Sequence, residues 1–231
     1  MFTEWRDQPE HYGDGVGTHV IDDFSPPGTW KRYRAFDFGY KRPFAVLWMA
    51  VDPDGRVYVY RELYGAGAPN EGVRKTPAEI ARLIRQAEAD AGEAEVIGVA
   101  DPSIWDASRG ESVAEQMAAE GVRFLRGENA RLAGKMQMHV RLAMDREGKP
   151  GLYVMRRCAH TIRTLPSLVY DPLRPEDVDS QGEDHIYDAL RYFLMLRPAR
   201  TMNSSVRARP VFDPLAAERT EAGKGFWRRP F

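Results

Sequence analysis

The chain has one cysteine, Cys158. No disulfide can therefore form within it, which suits a reducing compartment such as the cytoplasm. It also has no run of about 18 apolar residues, which excludes a membrane-spanning helix. The first residues, Met1-Phe2-Thr3-Glu4-Trp5-Arg6-Asp7, lack the charged-then-apolar order of a secretory signal. A phosphate-binding loop is missing too. Gly67-Ala68-Pro69-Asn70-Glu71-Gly72 has suitable glycine spacing, but Val73-Arg74 stands where Lys-Ser/Thr is required, which excludes nucleotide binding of that kind. There is no internal repeat.

Net charge is also small, at −1 over 231 residues, but it is unevenly spread. Arg197 to Phe231 holds eight basic and three acidic residues, a net of +5. Residues 198–231 therefore read as a basic tail on an acidic body, suited to an anionic partner or simply solvated. Apolar residues make up 43% and charged residues 29%, enough for a buried core in one or two domains. Residues 1–33 carry Gly13, Gly15, Gly17, Pro26, Pro27 and Gly28 with little periodicity, and read as a linker from something upstream.

From residue 34 the patterns alternate. Strands are expected over 34–39, 44–51 and 57–64, with Asp52-Pro53-Asp54-Gly55 as the turn between the last two, because proline presets the second turn position and glycine closes the fourth. Thr76-Pro77-Ala78-Glu79 and Ser112-Val113-Ala114-Glu115 are capping boxes that open helices ended by Gly92 and Gly121. Strands follow at 96–100, 122–125 and 152–155, and a helical stretch near 158–165. A helix over 130–146 is expected to bury Leu132, Met136, Val140 and Ala143, and one over 183–196 to bury Ile186, Ala189, Leu190, Phe193 and Leu194. The order implies an α/β fold, a mixed sheet with flanking helices. The tyrosines and tryptophans read as core.

The chemistry lies in acids placed where elements begin or end. Asp37 ends the first strand, Asp101 ends the strand at 96–100, and Asp184 and Asp188 open the last helix with His185 between them. Each alone has an ordinary explanation: a strand end, a turn cap, a solvated helix start. If those strands are neighbours in the sheet, the carboxylates share one edge, where oxygen ligands hold two divalent cations, the usual machinery of phosphodiester hydrolysis. The triplet Asp37-Phe38-Gly39 matches the magnesium loop of protein kinases, but no His-Arg-Asp loop or Val-Ala-Ile-Lys strand accompanies it. Arg131, Lys135 and His139 share a helix face, and Arg156, Arg157 and Arg163 follow the strand at 152–155. Such residues supply sequence-independent phosphate contacts, or only a solvated face. Of these, Arg131, Lys135, Arg156 and Arg157 are the candidates for DNA contact.

Three segments together resemble the C-terminal nuclease domain of tailed-bacteriophage terminase large subunits: Phe36-Asp37-Phe38-Gly39-Tyr40, Ala100-Asp101-Pro102-Ser103-Ile104-Trp105, and Glu183-Asp184-His185-Ile186-Tyr187-Asp188-Ala189-Leu190-Arg191-Tyr192. The likeness runs through most of 30–197. Gly127-Glu128-Asn129-Ala130-Arg131 is similar to the family's Asn-Asp-Arg segment, with Ala130 in place of the acid. The resemblance implies a ribonuclease H-like domain over 34–197 and endonucleolytic cutting of concatemeric double-stranded viral DNA in the host cytoplasm. It implies two Mg²⁺ or Mn²⁺ ions, with Asp37 bridging them, Asp101 on one and Asp188 on the other. Asp184 and His185 would be adjacent ligands or water-orienting groups, and the primary ligand of the 184/188 pair stays open. The partners it implies are double-stranded DNA, a small terminase subunit, the procapsid portal (docked through the basic tail) and a packaging ATPase domain upstream. A Holliday-junction resolvase or transposase-like nuclease, and a non-catalytic portal-docking module, are the alternatives.

Overall fold

The computed structural model describes residues 1–108 and 110–199. The basic tail lies, from residue 200 onward, outside the described residues. Among the described residues, nine strands and five helices alternate in chain order: β1 (Val20–Ile21), β2 (Lys31–Asp37), β3 (Ala45–Val51), β4 (Val57–Tyr64), β5 (Ala66–Ala68), β6 (Glu71–Gly72), α1 (Pro77–Asp90), β7 (Val96–Ala100), α2 (Val113–Ala119), β8 (Leu125–Arg126), α3 (Arg131–Leu142), β9 (Leu152–Met155), α4 (Ala159–Ser167) and α5 (His185–Leu196). Seven strands form one mixed sheet in the order β1-β9-β4-β3-β2-β7-β8, and β5 and β6 make a small separate hairpin. Only β3 runs against its neighbours in the main sheet. Strands β2, β4, β7, β8 and β9 therefore finish at the same edge.

Both faces of the sheet are covered, which is why β3 reads as an unbroken apolar run, Ala-Val-Leu-Trp-Met-Ala-Val. Tyr33, Ala35, Leu47, Met49 and Val59 point into the core with α3, α4 and α5. Phe36, Val46, Trp48 and Ala50 point the other way, to Ile80 and Ile84 of α1 and Met117 of α2. Both expected capping boxes form, at Thr76/Glu79 and Ser112/Glu115.

Two expectations are corrected. Residues 1–33 are not a loose linker: Phe2 is buried in the core, β1 pairs with β9, and the His19 ring bonds to the Leu142 carbonyl at 2.8 Å. The helix α3 is also turned from its expected orientation. Leu132, Met136 and Val140 are exposed, and its buried side is Gly134, Met138, Arg141 and Leu142. Gly134 is the reason. A Cβ there would lie 2.3 Å from Cγ of Arg191, so the absence of a side chain lets α3 settle closely on α5.

Candidate metal centre

Parallel pairing of β2 with β7, in register from Arg32↔Val96 to Phe36↔Ala100, puts Asp37 and Asp101 at adjacent strand ends. The backbone N–H of Asp101 donates to the Phe36 carbonyl at 3.3 Å, carrying the pairing one residue further. Asp101 then turns the chain, accepting the Ser103 N–H at 2.7 Å. Its other carboxylate oxygen accepts the hydroxyl of Tyr192, from α5, at 2.6 Å.

Helix α5 lies across the sheet and touches β2, β3, β7, α3 and α4. It is buried nearly all round, so its start is not the solvated acidic face that its sequence permits. Asp184 occupies its N-cap position and is 4% exposed. Asp188 sits in the first turn, where Arg191 Nε donates to its Oδ1 at 3.0 Å. The other side of the Arg191 guanidinium donates to Asn129 at 3.1 Å. His185 faces Asp37 across 3.2 Å through Nδ1. Its Nε2 lies 3.2 Å from Oδ1 of Asn70, and that amide is oriented by donating to the Gln181 and Gly182 carbonyls. Nε2 therefore carries a hydrogen, and Nδ1 shares a proton with Asp37.

The electrostatics follow from this crowding. Burial pushes the Asp37 carboxyl up to about 7, and the like charges of Asp188 and Asp101 push the same way against the opposing bond to His185. Asp184 rises to about 6, first through burial and then through Asp188. His185 is also raised: burial opposes its charge, but the bond to Asp37 and the surrounding acids outweigh it. Buried like charges of this kind are costly unless a cation sits among them. Among the described residues, no group of three or more His, Cys, Asp or Glu side chains is placed to hold a metal ion as it stands. The donor set still fits a hard divalent cation, because it consists of carboxylate oxygens gathered from three separate elements.

The predicted basic residues divide. Arg131 does not face outward but enters the acid group, 2.7 Å from Asp177, 3.5 Å from Asp188 and 4.0 Å from Asp184. Lys135 donates to the Glu176 carbonyl and sits 5.0 Å over the Tyr170 ring. His139 pairs with Glu4 at 2.7 Å, and Arg163 with Glu183 at 2.7 Å. Arg156 and Arg157 follow β9 at the same sheet edge as the acids and form half-exposed pairs with Asp22 and Asp23. Three strand spacings, about 14 Å, separate β9 from β2. Sequence reading quoted Arg191, Tyr192 and Asn129 only within family-like motifs and Asn70 only in the phosphate-loop comparison, assigned none of them a role, and did not mention Asp177. For Arg191 and Tyr192 a signal existed, since a charged residue and a phenol inside an apolar helix need partners.

An α/β domain with a mixed sheet presenting acids at neighbouring strand ends is ribonuclease H-like in architecture. Solved structures with this fold include the P22 large terminase nuclease domain (TM-score 0.62, 17% identity, covering 80% of this chain and 91% of that one). The large terminase of a thermophilic bacteriophage is also similar (TM-score 0.61, 22% identity, covering 78% of this chain and 43% of that one). The same thermophilic-phage protein in complex with ADP matches at TM-score 0.61 and 22% identity, over 76% of this chain and 41% of that one. The chain thus spans less than half the length of that large terminase. At these identities the likeness shows the fold. No protein-family profile matches the chain, and no curated protein sequence does.

Proposed function

We propose that the chain is a metal-dependent DNA endonuclease, the nuclease part of a terminase large subunit that cuts concatemeric double-stranded viral DNA during packaging. The carrying observation is the gathering of Asp37, Asp101, Asp184 and Asp188 from β2, β7 and α5, with Asp37 pushed up to about 7 by burial, Asp188 and Asp101. Asp37, Asp101, Asp184 and Asp188 would hold the ions. Mg²⁺ or Mn²⁺ suits such oxygen donors. When bound, a pair of these ions supplies activation of a water and stabilisation of the leaving oxygen.

The chain's own groups do the rest. Tyr192 and Ser103 fix Asp101, Arg191 fixes Asp188, and His185 holds a proton at Nδ1 against Asp37. Arg156 and Arg157 serve as phosphate contacts beside the centre, and Lys135 takes a lesser part. The likeness to terminases supports further partners: an upstream packaging ATPase domain in the same protein, a small terminase subunit, and a procapsid portal. The setting is the host cytoplasm. No helix among the described residues is long and apolar enough to cross a membrane.

The test is cutting of supercoiled plasmid in Mg²⁺ or Mn²⁺, wild type beside Asp37→Asn. Loss of cutting in the variant, with its fold intact by circular dichroism, supports the reading. Equal cutting by both, or none by wild type in either metal, overturns it. Strong preference for branched over linear duplex would instead favour a junction resolvase.

A further inference from the structure

We propose that Arg131 is a resident counter-cation of the acid cluster, standing against Asp184 and Asp188 where a divalent cation binds and swinging away when one does. This inference rests on the reading above that the centre takes a divalent metal.

The contacts of Arg131 divide by strength. Its Nε–Asp177 contact at 2.7 Å and its Nη2–Val178 carbonyl bond at 3.2 Å are full hydrogen bonds. Its approaches to Asp188 at 3.5 Å and Asp184 at 4.0 Å are longer and mainly Coulombic. The guanidinium is therefore anchored on Asp177 and leans on the pair at the start of α5.

Its position in α3 offers no local explanation. Arg131 is the first residue of that helix, whose N-terminus has no side-chain cap and no acid in its first turn. A cation there opposes the helix dipole. Its charge serves the carboxylates opposite instead. These need it, because Asp184 is nearly fully buried and neighbouring ionised carboxylates without a cation are strongly disfavoured.

The two arginines of the site also differ in their freedom to move. The Arg191 side chain is 0% exposed and locked to Asp188 and Asn129. That of Arg131 is 25% exposed, so it has a route to solvent that keeps its bond to Asp177. Arg191 is the fixed partner of Asp188 and Arg131 the exchangeable one.

The experiment titrates metal-free protein with Mn²⁺ alone by calorimetry, with melting curves recorded in the absence of metal. Arg131→Gln is expected to bind Mn²⁺ about tenfold more tightly, as expected for removing one unit charge a few ångströms away in a partly solvated site. It should also melt at a lower temperature when metal-free. Arg131→Lys, which keeps the charge, should stay within about threefold of wild type. Asp177→Asn removes the anchoring charge, leaves Asp184 and Asp188 as the carboxylates facing a guanidinium that keeps its Val178 carbonyl bond, and is expected to weaken Mn²⁺ binding. Equal or weaker binding by Arg131→Gln overturns the proposal. Should that variant not fold, unchanged or tighter binding by Asp177→Asn does so. If wild type shows no Mn²⁺ binding that Asp37→Asn abolishes, the metal reading itself falls and this inference with it.

Discussion

The Tyr192 hydroxyl donates a 2.6 Å hydrogen bond to Asp101, tying the middle of α5 to the end of β7 through one phenol. Asp101 keeps its bond from the Ser103 N–H when that phenol is removed, so Tyr192→Phe tests orientation with little else disturbed. Stability should fall by about 1 kcal/mol, the net worth of one hydrogen bond. Turnover on plasmid DNA should fall about tenfold, equivalent to roughly 1.4 kcal/mol of lost positioning. An unchanged rate in single-turnover cutting would remove Tyr192 from the machinery.

The burial of Asp37 and Asp184 among like charges makes metal-free stability depend on pH. Asp37 rises from an ordinary 3.8 to about 7 in the folded state, and Asp184 from 3.8 to about 6. The folded form thus holds protons that the unfolded form releases, and stability declines as pH rises from about 4 to about 7. His185 is raised as well and acts in the same direction. Urea denaturation in chelator at pH 5 and pH 8 should show wild type losing stability relative to Asp37→Asn across that interval. A constant difference between the two proteins would show that Asp37 does not titrate there.

Gly134 should tolerate no side chain. A Cβ would sit 2.3 Å from Cγ and 2.7 Å from Cδ of Arg191, which is fully buried and pinned at its guanidinium. Gly134→Ala is expected to destabilise the protein by about 1–3 kcal/mol through overpacking, outweighing the ~1 kcal/mol that alanine normally adds inside a helix. Equal or higher urea midpoints would show that α3 and α5 have room to separate.

Arg156 and Arg157 make exposed pairs with Asp22 and Asp23, and such pairs hold their partners weakly. They are therefore free to exchange carboxylates for phosphates. Replacing both with alanine should lower the slope of log affinity against log salt for duplex DNA by about 2, near 0.9 for each phosphate no longer neutralised. An unchanged slope in fluorescence anisotropy would place the DNA elsewhere.

What the sequence made legible was local. The capping boxes at Thr76 and Ser112 hold their partners within three residues, and β2 and β7 announce themselves as apolar runs ending in an acid. The neighbourhood of Asp37 and Asp101 followed from element order. The orientation of α3 did not, because its apolar stripe at Leu132, Met136 and Val140 obeys helical periodicity while a glycine decides which side meets α5. Residues 1–33 misled for a related reason. Their glycines and prolines look like punctuation, but Phe2, His19 and β1 are fixed by partners more than a hundred residues away. Arg131 read as a surface cation because nothing nearby in the chain reveals that Asp177, Asp184 and Asp188 surround it.

One consequence follows from α5 and its N-cap, which together carry Asp184, His185, Asp188, Arg191 and Tyr192 and come after every other described element in the chain. During translation the ribosome delivers the sheet first and this rod afterwards. A half-made polypeptide holds Asp37, Asp101 and Ser103 but lacks Asp184, His185, Asp188, Arg191 and Tyr192, so the acid cluster is complete only once synthesis has passed Leu196.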